Sequence, residues 1–515
     1  MRYEGLLGIL WLVMTAALPA LEPKDIAILY NSADPESKEL AEFYAEARNI
    51  PQGNLIGLEM PKAAEISREQ YDSRIAAPLR QVFKDRNWLK LGRYSEGVVG
   101  PVRNQIRVLL TMRGVPLKIS ITPLPEGQVR PDRKQQPYKG HDEASVDSEL
   151  AMFGVSKYPL EGAQRNRYFK MERAFTEANL PGVMLTCRID APTLATCKRM
   201  IQDAIEVEKT GLWGFHQVDI ANKFPQGDGW LKSVIKQNRT LGIPTGVDRF
   251  AQTLPTHYPL KDIACYYGWY DWNLSGPMLN PSFRMRRGSV AIHIHSYSAQ
   301  QLRNPKRNWS GGLLEAGAAA TVGNVYEPFL ALTHHLDILH DRLLKGHTWV
   351  EASWMALPVV SWQAITLGDP LYRPFAHLDG GGKELDADRE YRALCTAMEQ
   401  WRDDPKERIV KLKNAAIRMN SGIFLEAIAL ESIEDNNTNR AGTLFIQARE
   451  LYSDKSDQLR QDLHRVAMVR RMGNQSLAAD NLKRMIAEYQ GVPEVAAAKA
   501  WLKQIVPPVD PPEEK

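Results

Sequence analysis

GSVAIHIHSYSA (Gly288–Ala299), GAAATVGNVYEPF (Gly317–Phe329) and GHTWVEASWMALPVVSWQAITLGDPLYRPF (Gly346–Phe375) form the stretch that decides the fold. The first two segments open as short apolar strands and stop at polar, aromatic or imidazole side chains. The third closes on a Leu367-Gly368-Asp369-Pro370 turn. In an open parallel sheet, the carboxyl ends of strands are where ligands bind. These strand ends are therefore the place to look for a site.

Upstream, the pattern alternates between short β-branched runs and longer amphipathic ones. Strands are expected at Ile26–Asn31, from Asn54, and at Ile106–Met112, with helices from Glu39 and over Ile66–Trp88. A loop rich in Pro, Gly, Arg and Gln follows from Ile121 to Tyr138. A second series places strands from Val183, Gly214, Asp262, Ser289 and Ala318, with helices over Thr193–Lys209 and from Trp230. Strands that are apolar almost throughout are buried on both faces. The expectation is an α/β domain over residues 21–376, with a mostly parallel sheet flanked by helices.

The segment 377–385 (HLDGGGKEL) reads as a Gly-rich linker, and no strand signal appears after it. Residues 386–505 are expected to be all helical: one segment from Asp386 to about Met419, then Phe424–Asp435, Thr443–Tyr452, Ser456–Arg471, Ser476–Tyr489 and Glu494–Lys503. The Pro-rich tail 506–515 is expected to be disordered.

Residues 1–20 carry an Arg and then the apolar run Leu6–Ala20, ending in small residues, which reads as a secretory signal peptide. The run falls short of the roughly 20 apolar residues that span a bilayer. An uncleaved anchor is the alternative, and no other segment is long and apolar enough to cross. The chain is therefore expected to be exported, periplasmic or extracellular. Hydrophobic content of 44% and charged content of 24% are ordinary for a globular protein. A net charge of +4 over 515 residues gives no nucleic-acid footprint. Four cysteines without a CxxC make neither a disulfide scaffold nor a cysteine zinc site, although Cys187 and Cys197 can pair in an oxidising compartment.

His293 and His295, two apart on an expected strand, would point to the same side of the sheet and could chelate a metal with Glu327 or Asp219. A core histidine followed by a strand-end histidine is the plainer outcome, so no metal or cofactor is assigned. Ser296 lacks the Gly-x-Ser-x-Gly elbow of a hydrolase nucleophile. The run Cys265–Trp272 (CYYGWYDW) packs aromatics at a strand end, either as a stacking platform for a sugar or peptide or as core. Asn324, Tyr326 and Glu327 follow another strand, and Arg113 and Arg188 with Asp190 stand at others, where Arg–Asp pairing competes with ligand contact. Asp147 and Glu149 stand at an expected helix start, where carboxylates favour the dipole. His334, His335, His340 and His347 spread around a helix instead of converging.

Two resemblances arise on these residues. AEFYAEARNIP (Ala41–Pro51), LLTMRGVP (Leu109–Pro116), ASVDSELA (Ala144–Ala151), IHIHSYSA (Ile292–Ala299), GAAATVGNVYEPF and LGDPLYRPF (Leu367–Phe375) resemble an uncharacterised family of exported bacterial proteins. That family occurs in species carrying exosortase, and it implies no reaction. The order of elements from Ile263 to Tyr372 is similar to gingipain-like cysteine peptidases, which implies a caspase-type parallel sheet. There one strand ends in Gly-His and a later one at the nucleophilic Cys. Here Gly268-Trp269 and His295-Ser296 stand at those places, so the dyad does not carry over. Trp269 is a donor only and cannot act as a base. AADNLKRMIAEYQGVPEVAAAKAWL, within the last two helices, resembles a tetratricopeptide-type repeat, with a plain helical bundle as the alternative.

The reading that follows is an exported, envelope-associated, non-peptidase binding or scaffolding protein. Its crevice would take a peptide or glycan through Trp269, Tyr270, Ser296, Asn324, Tyr326 and Arg113. The helical domain would dock a protein partner. The alternative is a hydrolase with a rearranged site using His295, Glu327 and Asp219, with or without a metal. A purely structural protein would need these strand ends buried and mutually paired. Whether the protein is an enzyme stays open at this point.

Overall fold

The computed structural model describes residues 21–95, 97–156, 158–379 and 382–506. The expected signal peptide, all of the expected tail except Val506, and Gly380 and Gly381 of the expected linker lie outside them.

The principal strands are β1 (Ile26–Asn31), β2 (Leu55–Leu58), β3 (Val108–Met112), β4 (Leu185–Ile189), β5 (Phe215–Asp219), β6 (Thr245–Asp248), β7 (Ile263–Gly268), β8 (Val290–His293), β9 (Thr321–Asn324) and β10 (Ala364–Leu367). They form a six-stranded sheet in the order β9-β10-β4-β3-β1-β2 and a four-stranded one in the order β6-β5-β7-β8. A parallel bridge between Val290 and Ala320, with Ala291 donating to the Ala320 carbonyl (3.1 Å), joins β8 to β9. Every pairing in this layer is parallel except β9 with β10. That one reversal turns the two halves against each other. The carboxyl ends of β1, β3 and β4 emerge at one edge, and those of β5, β7, β8 and β9 at the opposite edge.

Both faces of the sheet are covered. Along β1, Ile26 and Ile28 enter one core cluster while Ala27 and Leu29 enter another, as alternation on a doubly covered strand requires. Helix α1 (Pro35–Arg48) starts four residues earlier than the apolar spacing suggests, because Asp34 accepts from the Glu36 amide and Pro35 takes the first turn. It ends at Asn49 in the left-handed region (φ 55°). Helix α2 (Leu194–Thr210) packs on α1, and α3 (Pro225–Leu241) follows β5. Strands β6 and β10, four residues each, and an antiparallel ribbon of Leu89–Ser95 with Val98–Asn104 were not expected from sequence.

Beyond the sheet come α4 (Arg389–Gln400), α5 (Pro405–Met419), α6 (Gly422–Glu434), α7 (Thr438–Leu451), α8 (Lys455–Arg471), α9 (Gln475–Glu488) and α10 (Val495–Ile505). The single helix expected over Asp386–Met419 is broken between Gln400 and Pro405, where Asp404 caps α5 by accepting from the Glu407 amide. The helical region is seated firmly on the sheet. Arg286 pairs with Asp388, Arg239 with Asp435 and Lys261 with Asp457, each at 2.6 Å. Inside it, buried Arg460 grips both oxygens of Glu426 at 2.8 Å. His377 and Leu378, placed in the linker by sequence, belong to a short turn over Ala376–Asp379, and the His377 ring lies 4.1 Å from Trp213. No helix among the described residues is long and apolar enough to cross a membrane.

Candidate functional site

A cavity of about 250 Å³ opens at the carboxyl ends of β7, β8 and β9. Tyr270, His295, Ser296, Asn324, Glu327 and Phe329 line it, with Phe224, Trp269 and Thr333 beside them. Of the residues expected here from sequence, the fold brings Trp269, Tyr270, His295, Ser296, Asn324 and Glu327 together. It sends the others elsewhere.

Arg113 is the clearest correction. It follows β3, whose carboxyl end lies at the opposite edge of the sheet. There it donates to Glu36 (3.0 Å) and to the Ala191 carbonyl (2.6 Å). Tyr326 turns away from the cavity and donates to Glu65 (2.9 Å), with Lys118 over its ring. Asp219 is buried under the strand ends beside Tyr266 and is not a wall of the cavity. Trp269 reaches the cavity wall but is 1% exposed, and its indole N–H is spent on Asp228 (2.9 Å). The acids of the ASVDSEL segment are structural too: Asp147 meets Thr111 and Arg188, and Glu149 meets Ser361 and Arg68.

His293 and His295 separate because β8 ends at His293. His293 stacks on Trp309 (3.4 Å, 6°), and its Nε2 accepts the Asp271 amide (3.1 Å). With Nε2 an acceptor, the neutral ring carries its proton on Nδ1 and donates it to the Tyr266 hydroxyl (3.1 Å), which in turn meets Asp219. Burial, then His295, holds the His293 imidazole well below its ordinary value. Both nitrogens are thus committed, and the pair is not a chelate. Among the described residues no group of three or more His, Cys, Asp and Glu side chains is placed to hold a metal ion. Of the four histidines His334, His335, His340 and His347, His340 is bonded to Tyr267 and Asn238 in the core.

His295 is different. Its Nδ1 meets the Ser296 carbonyl (2.5 Å), which fixes the proton there and leaves the lone pair on Nε2. Burial lowers its pKa, while the Ser296 carbonyl and Glu327 pull it partly back up. At neutral pH it is an uncharged acceptor. Around it runs a chain of rings: Phe224 to Tyr270 (5.5 Å), Tyr270 to His295 (5.2 Å), His295 to Trp272 (4.7 Å) and Trp272 to Tyr297 (5.8 Å). Phe224, Tyr270 and Trp272 are 47%, 38% and 56% exposed, a concentration of bare aromatic surface on one rim. The loop bearing Tyr270 and Trp272 is pinned through Asp271. Its amide goes to His293, and its carbonyl accepts the Trp309 indole N–H (2.7 Å).

Two bulky residues hold positive φ here, Phe329 (65°) in the cavity wall and Tyr297 (61°) beside Trp272 on the rim. Such strain costs about 1–3 kcal/mol each and clusters at functional sites. Phe329 is held by its amide donating to Glu327 (3.0 Å) and by Arg133 over its ring (5.1 Å). Arg133 comes from the Pro- and Arg-rich loop and donates to the Glu327 carbonyl (2.8 Å), so that loop backs the Glu327–Phe329 wall. Sequence reasoning missed Phe224, Phe329 and Thr333, which stand on loops and carry no periodic signal.

Below the crevice, Asp219 and Asp248 stand opposite each other in the parallel register of β5 and β6. Burial raises both, and Asp248 reaches about 6. Each carboxyl binds its proton more tightly folded than unfolded. The resulting stabilisation is present below the unfolded value near 3.8 and is lost as pH rises through about 6. Asp248→Asn is therefore expected to be more stable than the natural chain at pH 7.5 by about 1–3 kcal/mol. The gap should close between pH 6 and 4 in urea melts, and a gap that stays constant with pH would refute it.

All four cysteines are free thiols; Cys187 donates to the Gly368 carbonyl (3.2 Å), so it is not bridged to Cys197. No protein-family model, curated protein or solved structure matches the chain.

Proposed function

We propose that the protein is an exported, envelope-associated binding protein without peptidase activity, and that the crevice at β7–β9 takes a short glycan or peptide. The observation that carries this reading is the exposed aromatic rim of Phe224, Tyr270 and Trp272 around a neutral His295. Apolar faces with a few converging polar groups are the usual make-up of a small-ligand pocket. Export rests on the apolar N-terminal sequence. The caspase-type reading is supported by β7 and β8 being neighbours, which brings the two strand ends that would bear a peptidase dyad together. They hold Trp269, committed to Asp228, and His295-Ser296, so the thiolate and its base are both missing. A tetratricopeptide-type arrangement of α4–α10 belongs to the same proposal.

One observation favours a second reading. His295 and Glu327 line the same cavity and sense each other's charge, the pairing a hydrolase needs to activate water. Saturation-transfer NMR with chito-oligosaccharides, cello-oligosaccharides and short Ala/Pro peptides separates the two. The expected result is binding with every ligand recovered intact. Cleavage that His295→Ala abolishes would replace the binding reading with the hydrolase. Absence of binding to all three probe classes would remove both.

A further inference from the structure

A second cavity, about 970 Å³, is larger than the crevice. It lies at the other edge of the sheet, between Trp213, just ahead of β5, the carboxyl end of α3, and helices α4 and α5. Domain junctions are a common place for ligand sites, and this volume stands at the top of the usual range of about 300–1,000 Å³. We propose that this cleft docks an acidic, amphipathic peptide segment of a partner protein. The inference is independent of what the crevice binds.

Charge is the first argument. Lys383, Arg389, Arg392, Arg402, Lys411 and Arg418 line the cleft against two acids, Glu384 and Glu399. Basic side chains thus predominate in this concavity, even with Glu390 beside Arg389 and Glu407 beside Lys411. Arg392 is partly neutralised by Glu384 (3.5 Å) and Lys411 by Glu407 (3.2 Å). Arg402 and Arg418 have no ion-pair partner among the described residues, and both are exposed. A concave basic surface focuses its field on an acidic ligand.

The second argument selects the kind of polyanion. Between the cations, Ala393, Trp401, Ala415 and Met419, all half-buried, give the cleft an apolar surface beside the polar side chains of Thr396, Gln400 and Asn414. On α5, Val410 and Ile417 are 49% and 73% exposed. Seven residues apart, they lie outside the cleft lining, beside the face that carries Lys411, Ala415 and Arg418, so a ligand must extend past the cleft's rim to cover them. A nucleic acid or a sulfated polysaccharide brings charge but no aliphatic side chains to cover such surface. A flat membrane surface does not enter a cleft between two layers of helices. An acidic segment with interspersed apolar residues satisfies both features, in the manner of a helix laid in a groove.

The test uses the full chain and a fluorescein-labelled peptide of alternating acidic and leucine-containing turns, read by anisotropy. A matched peptide with Ser for Leu, a heparin oligosaccharide and a single-stranded oligonucleotide serve as the other arms. The expected result is saturable binding of the Leu peptide. It should weaken at least tenfold in Arg402→Glu/Arg418→Glu and fall steeply between about 0.05 and 0.3 M salt. The Ser peptide should bind at least tenfold more weakly. Both replaced side chains are exposed, so an unchanged thermal melt will confirm that the variant is folded. Leu-peptide binding that survives the charge reversal overturns the proposal. Equal binding of the Leu and Ser peptides overturns it too, as does cleft-dependent binding of heparin or the oligonucleotide in preference to the peptide.

Discussion

Replacing Arg188 with methionine is expected to destabilise the protein by about 3–5 kcal/mol, the cost of leaving one half of a buried ion pair behind. Arg188, on β4, is 0% exposed. Its Nε and Nη2 both lie 2.8 Å from one oxygen of Asp147, and its two terminal nitrogens donate to the Val115 and Pro116 carbonyls at 2.9 Å. Thr111 donates to the other Asp147 oxygen. One guanidinium thus satisfies a carboxylate from the short helix Val146–Leu150 and two carbonyls from the loop after β3, all inside the core, with Asp190 3.5 Å away. Removing it strands an anion and two acceptors together. The double variant Arg188→Met/Asp147→Leu removes the stranded Asp147 anion, keeps Asp190 beside Arg113 and Arg303 (3.6 and 3.7 Å), and leaves the two carbonyls, worth about 1–3 kcal/mol each, unpaired. Its cost should fall short of the sum of the two single variants by about 2–3 kcal/mol in guanidinium melts. Strict additivity would show that the pair is not coupled and that Arg188 contributes through packing alone.

Arg188 also shows where sequence stops being informative. A strand ending in Arg-Ile-Asp can be read as a ligand site or as an ion pair, because both need the same residue types. Only the loop that brings Val115 and Pro116 over the strand decides between them. The strands themselves were legible wherever mostly apolar or β-branched residues ran five or six long, as in β1, β3, β4 and β7, and the long helices wherever the spacing was helical. Strands β6 (TGVD) and β10 (AITL) were not: β6 offers one apolar side chain, Val247, and β10 closes a mostly apolar run from Trp349 in which no period separates it from the helix before it. Missing β10 hid the antiparallel step that reverses the two halves of the sheet. That is why Arg113 was grouped with His295 although the fold puts them at opposite edges. Within the crevice, His295, Tyr270, Asn324 and Glu327 were legible because each stands at or just beyond a strand end. Phe224 and Phe329 were not, since a loop position and a positive φ leave no trace in composition.

The sharpest division lies within four residues. Trp269 and Trp272 belong to the same aromatic run, yet opposite outcomes are expected for them. Trp269→Ala should cost about 3–5 kcal/mol, as for other buried tryptophans. Its indole fills the core against Gly227, where an added Cβ would lie 2.5 Å from the ring, and its N–H is bonded to Asp228. Trp272→Ala should leave stability within about 0.5 kcal/mol, because a side chain 56% exposed has little packing to lose. Binding at the crevice should respond the other way round for the surface residue. Trp272 supplies the most exposed ring of the rim and stands edge-on to His295 at 4.7 Å. Losing it should weaken the best ligand of the NMR screen by roughly tenfold or more, the scale of an aromatic hot spot. Thermal melts and titration calorimetry on the two variants read both effects. Unchanged affinity in a folded Trp272→Ala protein would move the binding surface off the aromatic rim. It would leave only the inner wall of His295, Asn324 and Glu327, where an acid–base role outweighs stacking.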